Sequence, residues 1–485
     1  LAGECLSYVY FDNRPDTTLE AWLNICKTFF VIIVLASAAV MFTRDAENLV
    51  IRPIERMVHI VKQLASNPLA TVMDPSSCNP ALDSHADNVT YETALLERTL
   101  RKVGGLLQIG FGEAGSQIIA QNMKRGGALN PMVDGVRMRG MFGFCDIRQF
   151  TDVTECLQEG VMAFVNQIGE LVHGATHMYA GAANKNIGDA FLLVWRVVEA
   201  SETNALANWA RQQSSKRMKD LLDCALSGVA SMSPGQAALR ADTLCSEAQL
   251  ADNALYAFLK CMVDIENANI TGVLRPYQDD PKIQERFPEG FKVRLGYGLH
   301  YGWAIEGAIG SKFKIDASYL SPNVNIAARL EAATKQYGVP LLMSSEFVRR
   351  LSPAARDRCR LLDSVTVKGS KLPIQLYTFD VNHIPQLFGC ASWRQTADVL
   401  SDADFDNDPY VPMLQQGFAG AFFKHFRRAV RAYIQGNWEE AKMELQTVES
   451  IQPGDGPTAT LKRVMSEHGW VSPLNWPGYR ELTDK

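Results

Sequence analysis

"NKNIGDAFLLVW", Asn184–Trp195, ends in a run of apolar residues with the length and bulk of a buried strand. Its first half carries a lysine, Lys185, four residues before an acid, Asp189, with Gly188 between them. A glycine before a strand predicts a tight turn, so Lys185 and Asp189 are expected at the two ends of one turn. Upstream, "MRGMFGFCDIRQFTDV" (Met138–Val153) reads as a strand ending in Asp146, a turn and a helix. Two carboxylates at strand ends or turns are suited to hard divalent cations, which prefer oxygen ligands and keep positions open for phosphates. Taken singly, each Asp reads better as a turn residue capping a helix.

Downstream, "FKVRLGYGLHYGWAIEGAIG" (Phe291–Gly310) reads as two strands joined by a turn at His300–Gly302. In "KFKIDASYLSPNVNIAARLEAATKQYG", a helix is predicted from Asn323, with Asn325 and Arg329 one turn apart on a shared face. An amide and a guanidinium together suit an anionic ligand, although the same pair would serve as a solvated face. "DSVTVKGSKLPIQLYTF" (Asp363–Phe379) predicts a closing hairpin with Lys368 at its turn.

"FCDIRQFT", "KNIGDAF", "GYGLHYG", "NVNIAARLE" and "VKGSKLPIQLY" occur in the order found in class III nucleotidyl cyclases, and the stretch from Met138 to Asp380 resembles that family. The resemblance implies an α+β, ferredoxin-like catalytic domain with a central antiparallel sheet, paired head to tail with a second copy. It implies two Mg²⁺ or Mn²⁺ ions per site held by Asp146 and Asp189, with Ile147 beside them. Asn325 would orient the ribose, Arg329 would stabilise charge at the α-phosphate, and Lys368 would bind the triphosphate tail. The residue at position 185 reads the purine; lysine there implies ATP and an adenylyl cyclase. Counting seven back from Asn325 gives Ser318 as the second base reader, with Asp316 as the alternative if the loop carries an insertion. A guanylyl cyclase and a catalytically inactive cyclase-like scaffold are the rival readings.

The rest of the chain frames that domain. Of its 485 residues 47% are hydrophobic and 21% charged, with a net charge of -5, a balance that argues against broad nucleic-acid binding. The ten cysteines form no CxxC pair and read as reduced, mostly core residues. Ala21–Phe42 is apolar enough for a membrane span, placed at 21–43 after an extracytoplasmic segment 1–20. Arg44, Arg52, Arg56 and Lys62 follow it, so the positive-inside rule puts the catalytic domain in the cytoplasm. Ile51, Ile54, Val58, Val61 and Ala65, then Leu96, Leu100, Val103 and Leu107, step by three or four residues as coiled-coil seams do. With "RPIERM", residues 44–105 resemble a HAMP signal relay; a connector helix is expected over 106–136. These seams predict a homodimer, with a heterodimer of related chains the other possibility. The sequence starts at Leu1, which leaves room for a longer protein upstream.

"GFGEAG" (Gly110–Gly115) follows a helix, not a strand, and reads as a joint and not a dinucleotide loop. Between Asp189 and the strand near Val293 an insertion is expected over about 200–248, followed by a helix from Ala251 to Thr271. After the catalytic domain (137–380), residues 381–485 read as a linker and a helical hairpin. "DADFDNDP" (Asp402–Pro409) reads as a solvated linker. "FFKHFRRAVRAYIQGNWEEAKMELQTV" (Phe422–Val448) resembles one tetratricopeptide-like hairpin, which cannot bury its own face and is expected to pack on the cyclase domain or a partner.

Overall fold

A computed structural model describes residues 14–55, 134–197, 246–311, 314–367, 372–382 and 401–482, with scattered positions between 57 and 115. The chain divides into two compact units, one of residues 1–110 with 119–127, the other of 111–118 with 128–485.

The first unit holds helix α1 (Arg14–Ala46). The helical stretch Thr18–Glu55 contains a window of mean hydropathy 2.4, none of it buried, and is long and apolar enough to cross a membrane. Just beyond, Ile51, Ile54, Val58 and Val61 are all exposed, as are Leu96 and Val103 of the second seam. Ala65, Leu107 and most of the relay and connector lie outside the described residues.

The second unit is built on one mixed sheet. Its elements run β1 (Val136–Ile147), α2 (Phe150–Leu157), α3 (Val161–Met178), β2 (Ala182–Ile187), β3 (Ala190–Val197), α4 (Glu247–Thr271), β4 (Leu295–Gly310), β5 (Ile315–Leu320), α5 (Pro322–Tyr337), β6 (Leu341–Ser344), β7 (Cys359–Thr366) and β8 (Ile374–Phe379). Beyond them, with several shorter helices, come helices α6 (Gly420–Ile434), α7 (Trp438–Ile451) and α8 (Gly456–Glu467) and the short β9 (Arg480–Glu481). The strand order is β2-β3-β1-β4-β6-β8-β7-β9, with β5 paired to β4. Pairing is antiparallel except β4 with β6 and β7 with β9.

Strand periodicity divides the core between the two faces. On β3, Phe191, Leu193 and Trp195 pack with α3 and α4, while Leu192 and Val194 face the opposite way with Phe142, Tyr319 and Ala327. A third cluster joins Leu330 and Tyr337 of α5 and Leu342 and Leu376 of the sheet to Phe422, Val430 and Leu461 of the C-terminal helices. The α6–α7 hairpin thus covers its apolar face on α5 and the sheet. Its "GNW" turn uses Gly436 at φ 82 and Asn437, whose side chain accepts from Glu440 N at 3.3 Å.

Three sequence expectations change. Strand β4 runs through His300–Gly302 without a turn. Gly298 and Gly302 sit there because a Cβ at Gly298 would collide with the Ala327 carbonyl and one at Gly302 with the Asn323 side chain. Both glycines let α5 lie directly on the strand. Second, Asp402–Pro409 is docked: Phe405 is 2% exposed, Asn253 donates to Asp402 at 3.1 Å, and Tyr256 donates to Asp408. Two apolar anchors, Ala403 and Phe405, outweigh the alternating acids. Third, α4 starts at Glu247, capped by Ser246, whose hydroxyl accepts from Gln249 N at 3.1 Å. The bulk of the expected insertion, 198–245, lies outside the described residues.

Candidate active site

Strand pairing brings the two candidate metal carboxylates together. Asp146 stands opposite Ala190, so Asp189 lies just across the ladder, and Ile147 N donates to the Asp189 carbonyl at 3.1 Å. Burial and the neighbouring Asp189 charge push the Asp146 carboxyl up to about 6. Two facing carboxylates repel when both are ionised, and a divalent cation relieves that repulsion. Among the described residues no third His, Cys, Asp or Glu joins them. That donor set fits a cation that keeps several positions for water and phosphate oxygens, as Mg²⁺ does.

Beneath this pair lies a buried ion pair. Arg148 Nη1 is 3.0 Å from Glu331 Oε1, with the side chains 17% and 5% exposed. Arg148 also donates to Thr334 Oγ1. Burial raises the Glu331 carboxyl to about 7 against the pull of Arg148. A Cβ at Gly296 would collide with both partners. Gly296, Gly298, His300 and Gly302 thus share one face of β4, and the helix lies on it. His300 Nδ1 is 2.7 Å from Ser344 Oγ and Nε2 is 3.2 Å from Asn323 Oδ1. Burial lowers the His300 pKa.

Lys185 and Asp189 do not serve one turn. A two-residue connection, Gly188 at φ 67 and Asp189, joins β2 to β3, and a bulge between Ala183 and Lys185 offsets the register. Lys185 stands on β2 opposite Leu192. Its Nζ is 3.4 Å from Asp316 Oδ2 on β5, with side-chain exposures of 32% and 43%. The hairpin therefore sends the acid to Asp146 and the base to Asp316. Asp316 and Ser318 are two apart on β5 and share its face; Ser318 is 7% exposed.

Helix α5 opens on Ser321, whose hydroxyl accepts from Asn323 N at 3.1 Å, with Pro322 at the first helical position. Asn325 is exposed and Arg329 half-buried. Neither side chain makes a hydrogen bond or ion pair among the described residues. Lys368 lies outside the described residues. Sequence reading missed Arg148, Glu331 and His300; the signal available was the even spacing of the glycines and histidine from Gly296 to Gly302.

The family model for the adenylate and guanylate cyclase catalytic domain matches residues 140–381. That segment is a class III nucleotidyl cyclase catalytic domain. It is 38% identical over 87 residues to an adenylate cyclase of Anabaena cylindrica, covering 18% of this chain and 17% of that one. Adenylate cyclase 1 of Rhizobium meliloti is 30% identical over 86 residues, 18% of this chain and 13% of its own. The matched stretches are thus a small part of those relatives. A bacterial light-regulated adenylyl cyclase structure is 21% identical, covering 59% of this chain and 63% of that chain at a TM-score of 0.39. Residues 13–124 also match a second model, the all-helical domain of RasGEFs.

Proposed function

We propose that this chain is an adenylyl cyclase that converts ATP to 3′,5′-cyclic AMP and pyrophosphate, at a site shared between two copies. The observation that carries the choice of base is the Lys185–Asp316 pair. A donor beside an acceptor matches adenine, whose N1 accepts and whose 6-amino group donates. Guanine presents N1–H where Lys185 would need an acceptor. In this reading Asp316, and not Ser318, answers the amino group.

Asp146, Asp189 and the Ile147 carbonyl would hold the divalent ions. Such ions lower the pKa of the ribose 3′-hydroxyl and neutralise the β- and γ-phosphates. Arg329 meets the charge that develops at the α-phosphate while the 3′-oxygen attacks and pyrophosphate leaves. Asn325 orients the ribose, and Lys368 holds the triphosphate tail. The lack of any partner for Asn325 and Arg329 within the described chain supports a site completed by the metal-binding carboxylates of a second copy. Helix α1 would anchor the pair in a membrane, with the exposed seams at Ile54 and Leu96 facing one another and the catalytic domains in the cytoplasm.

The test is cyclic-nucleotide formation by the full chain with Mn²⁺ and either ATP or GTP. ATP should be preferred. Asp316→Asn should lower that preference by roughly 10- to 100-fold, the worth of a hydrogen bond to a charged group, and Ser318→Ala should change it far less. Preference for GTP by the wild type would end this reading, and absence of either product would favour an inactive scaffold.

A further inference from the structure

The family match ends at residue 381, yet the chain returns to the same sheet a hundred residues later. Strand β9 pairs parallel with β7, Arg480 opposite Val365, and Leu482 N donates to the Thr366 carbonyl at 2.9 Å. This places Arg480 over a buried pair, Asp363 and Tyr337. Its Nε donates to Asp363 Oδ2 at 2.9 Å and its Nη2 to the Tyr337 hydroxyl oxygen at 2.8 Å. The Tyr337 hydroxyl in turn donates to Asp363 Oδ2 at 2.6 Å. Tyr337 and Asp363 are both 0% exposed. A fully desolvated carboxylate tolerates little motion in its partners, because each lost bond leaves charge unpaired.

Tyr337 is the last residue of α5, the helix that bears Asn325 and Arg329. Two further contacts bind the same end. Thr460 Oγ1 of α8 donates to the Gln336 carbonyl at 2.7 Å. Gly456, the first residue of α8, abuts the Tyr337 carbonyl so closely that a Cβ there would collide with it. Arg329 lies about two turns upstream, roughly 12 Å along a stiff helix, so the orientation of Tyr337 sets where Arg329 points. We infer that Arg480, acting through Tyr337, is a positioning residue for Arg329, and that the segment beyond the family boundary is a working part of the active site. The effect on catalysis rests on the cyclase reading; the effect on α5 does not.

Four proteins test this: the full chain, Arg480→Met, Arg480→Lys and Gly456→Ala. Amide hydrogen exchange is followed by mass spectrometry on peptides from α5 and from β1 and β3, Mn²⁺ binding by titration, and kcat with ATP. Arg480→Met should speed exchange in α5 about 10-fold, a local opening, with β1, β3 and Mn²⁺ affinity unchanged. Its kcat should fall roughly 10- to 100-fold, as expected of a catalytic group misplaced by about 1 Å. Arg480→Lys keeps a cation for Asp363 and loses the second arm to Tyr337, so it should recover melting temperature more than kcat. Should Arg480→Met not fold, Gly456→Ala, which wedges α8 from α5, reads the same quantities. Exchange that rises evenly in all elements, or stays unchanged in α5, overturns the inference and leaves Arg480 a stabilising residue only. A loosened α5 with kcat intact overturns it as well. A wild type that makes no cyclic AMP would fail the cyclase reading, while the exchange pattern still decides whether Arg480 holds the helix.

Discussion

The polar side chains of α5 fall into two groups. Toward the C-terminal end, Glu331 is held by Arg148, Thr334 receives a bond from the same arginine, and Tyr337 is locked to Asp363 and Arg480. Toward the N-terminal end, Asn325 and Arg329 have no partner among the described residues. Burial explains the first group: a desolvated charge or hydroxyl must be satisfied or the fold loses stability. Exposed Asn325 and half-buried Arg329 reach solvent and are under less of this demand. One helix thus separates groups that maintain the structure from groups left available for an anion.

That contrast breaks most sharply at Arg329. Arg329→Ala should reduce cyclic AMP formation by roughly 100- to 1000-fold, the range for losing one group that stabilises transition-state charge, while the melting temperature stays put. Co-expression with Asp146→Ala sharpens it. Under the proposed shared site, random pairing would make half the dimers mixed, each with one intact site, and recovery to about a quarter of wild-type activity is expected for two independent sites under two-fold symmetry. A large fall in melting temperature for Arg329→Ala would place it with Glu331 and Tyr337 instead. The next effect is on packing. Gly298→Ala inserts a methyl against the Ala327 carbonyl and should cost about 1–3 kcal/mol in urea unfolding, as overpacking does; tolerance without loss would mean that α5 rides freely on β4.

The smallest effect concerns His300. Burial holds its pKa below the ordinary value, so the folded ring stays neutral where the unfolded ring takes a proton. Its contribution to stability is present above the ordinary pKa of about 6.5 and is lost as pH falls from there through the lowered folded value. Buried carboxylates such as Asp363, whose pKa burial raises, slope the other way, so only a difference isolates the histidine. The stability advantage of wild type over His300→Gln should shrink between pH 7.5 and 5, by no more than about 1.4 kcal/mol per pH unit. A constant gap would show that His300 is not the group titrating.

Local signals carried much of the catalytic domain. The apolar run from Ala190 to Trp195, the end of strand β1 at Asp146 and the Asn325–Arg329 spacing on α5 were legible because each is read within one element. The unburied face of the Phe422–Val448 hairpin also announced that it needed a surface. What failed was the sense of glycine. Gly302, read as part of a turn, is with Gly298 a close-approach residue in the sheet, a distinction that exists only once α5 is in place. Asp402–Pro409 misled for a related reason: its acids outnumber Ala403 and Phe405, which decide its position. Lys185 with Asp316, and Tyr337 with Arg480, are pairings across long stretches of sequence, set by topology and invisible to spacing.

The Lys185–Asp316 pair has one more consequence. Because each charge offsets the other, the corner that would read the base under the proposed function offers little net attraction to passing ions. A phosphate is not drawn there by its charge, nor a stray cation. The partly exposed pair is also cheap to part, since such bridges are worth about 0–1 kcal/mol. A base with the right edge can replace both halves of the bridge at once, whereas one with the wrong edge strands at least one of them. Selection by such a corner works by substitution, the ligand being compared with the contact it displaces.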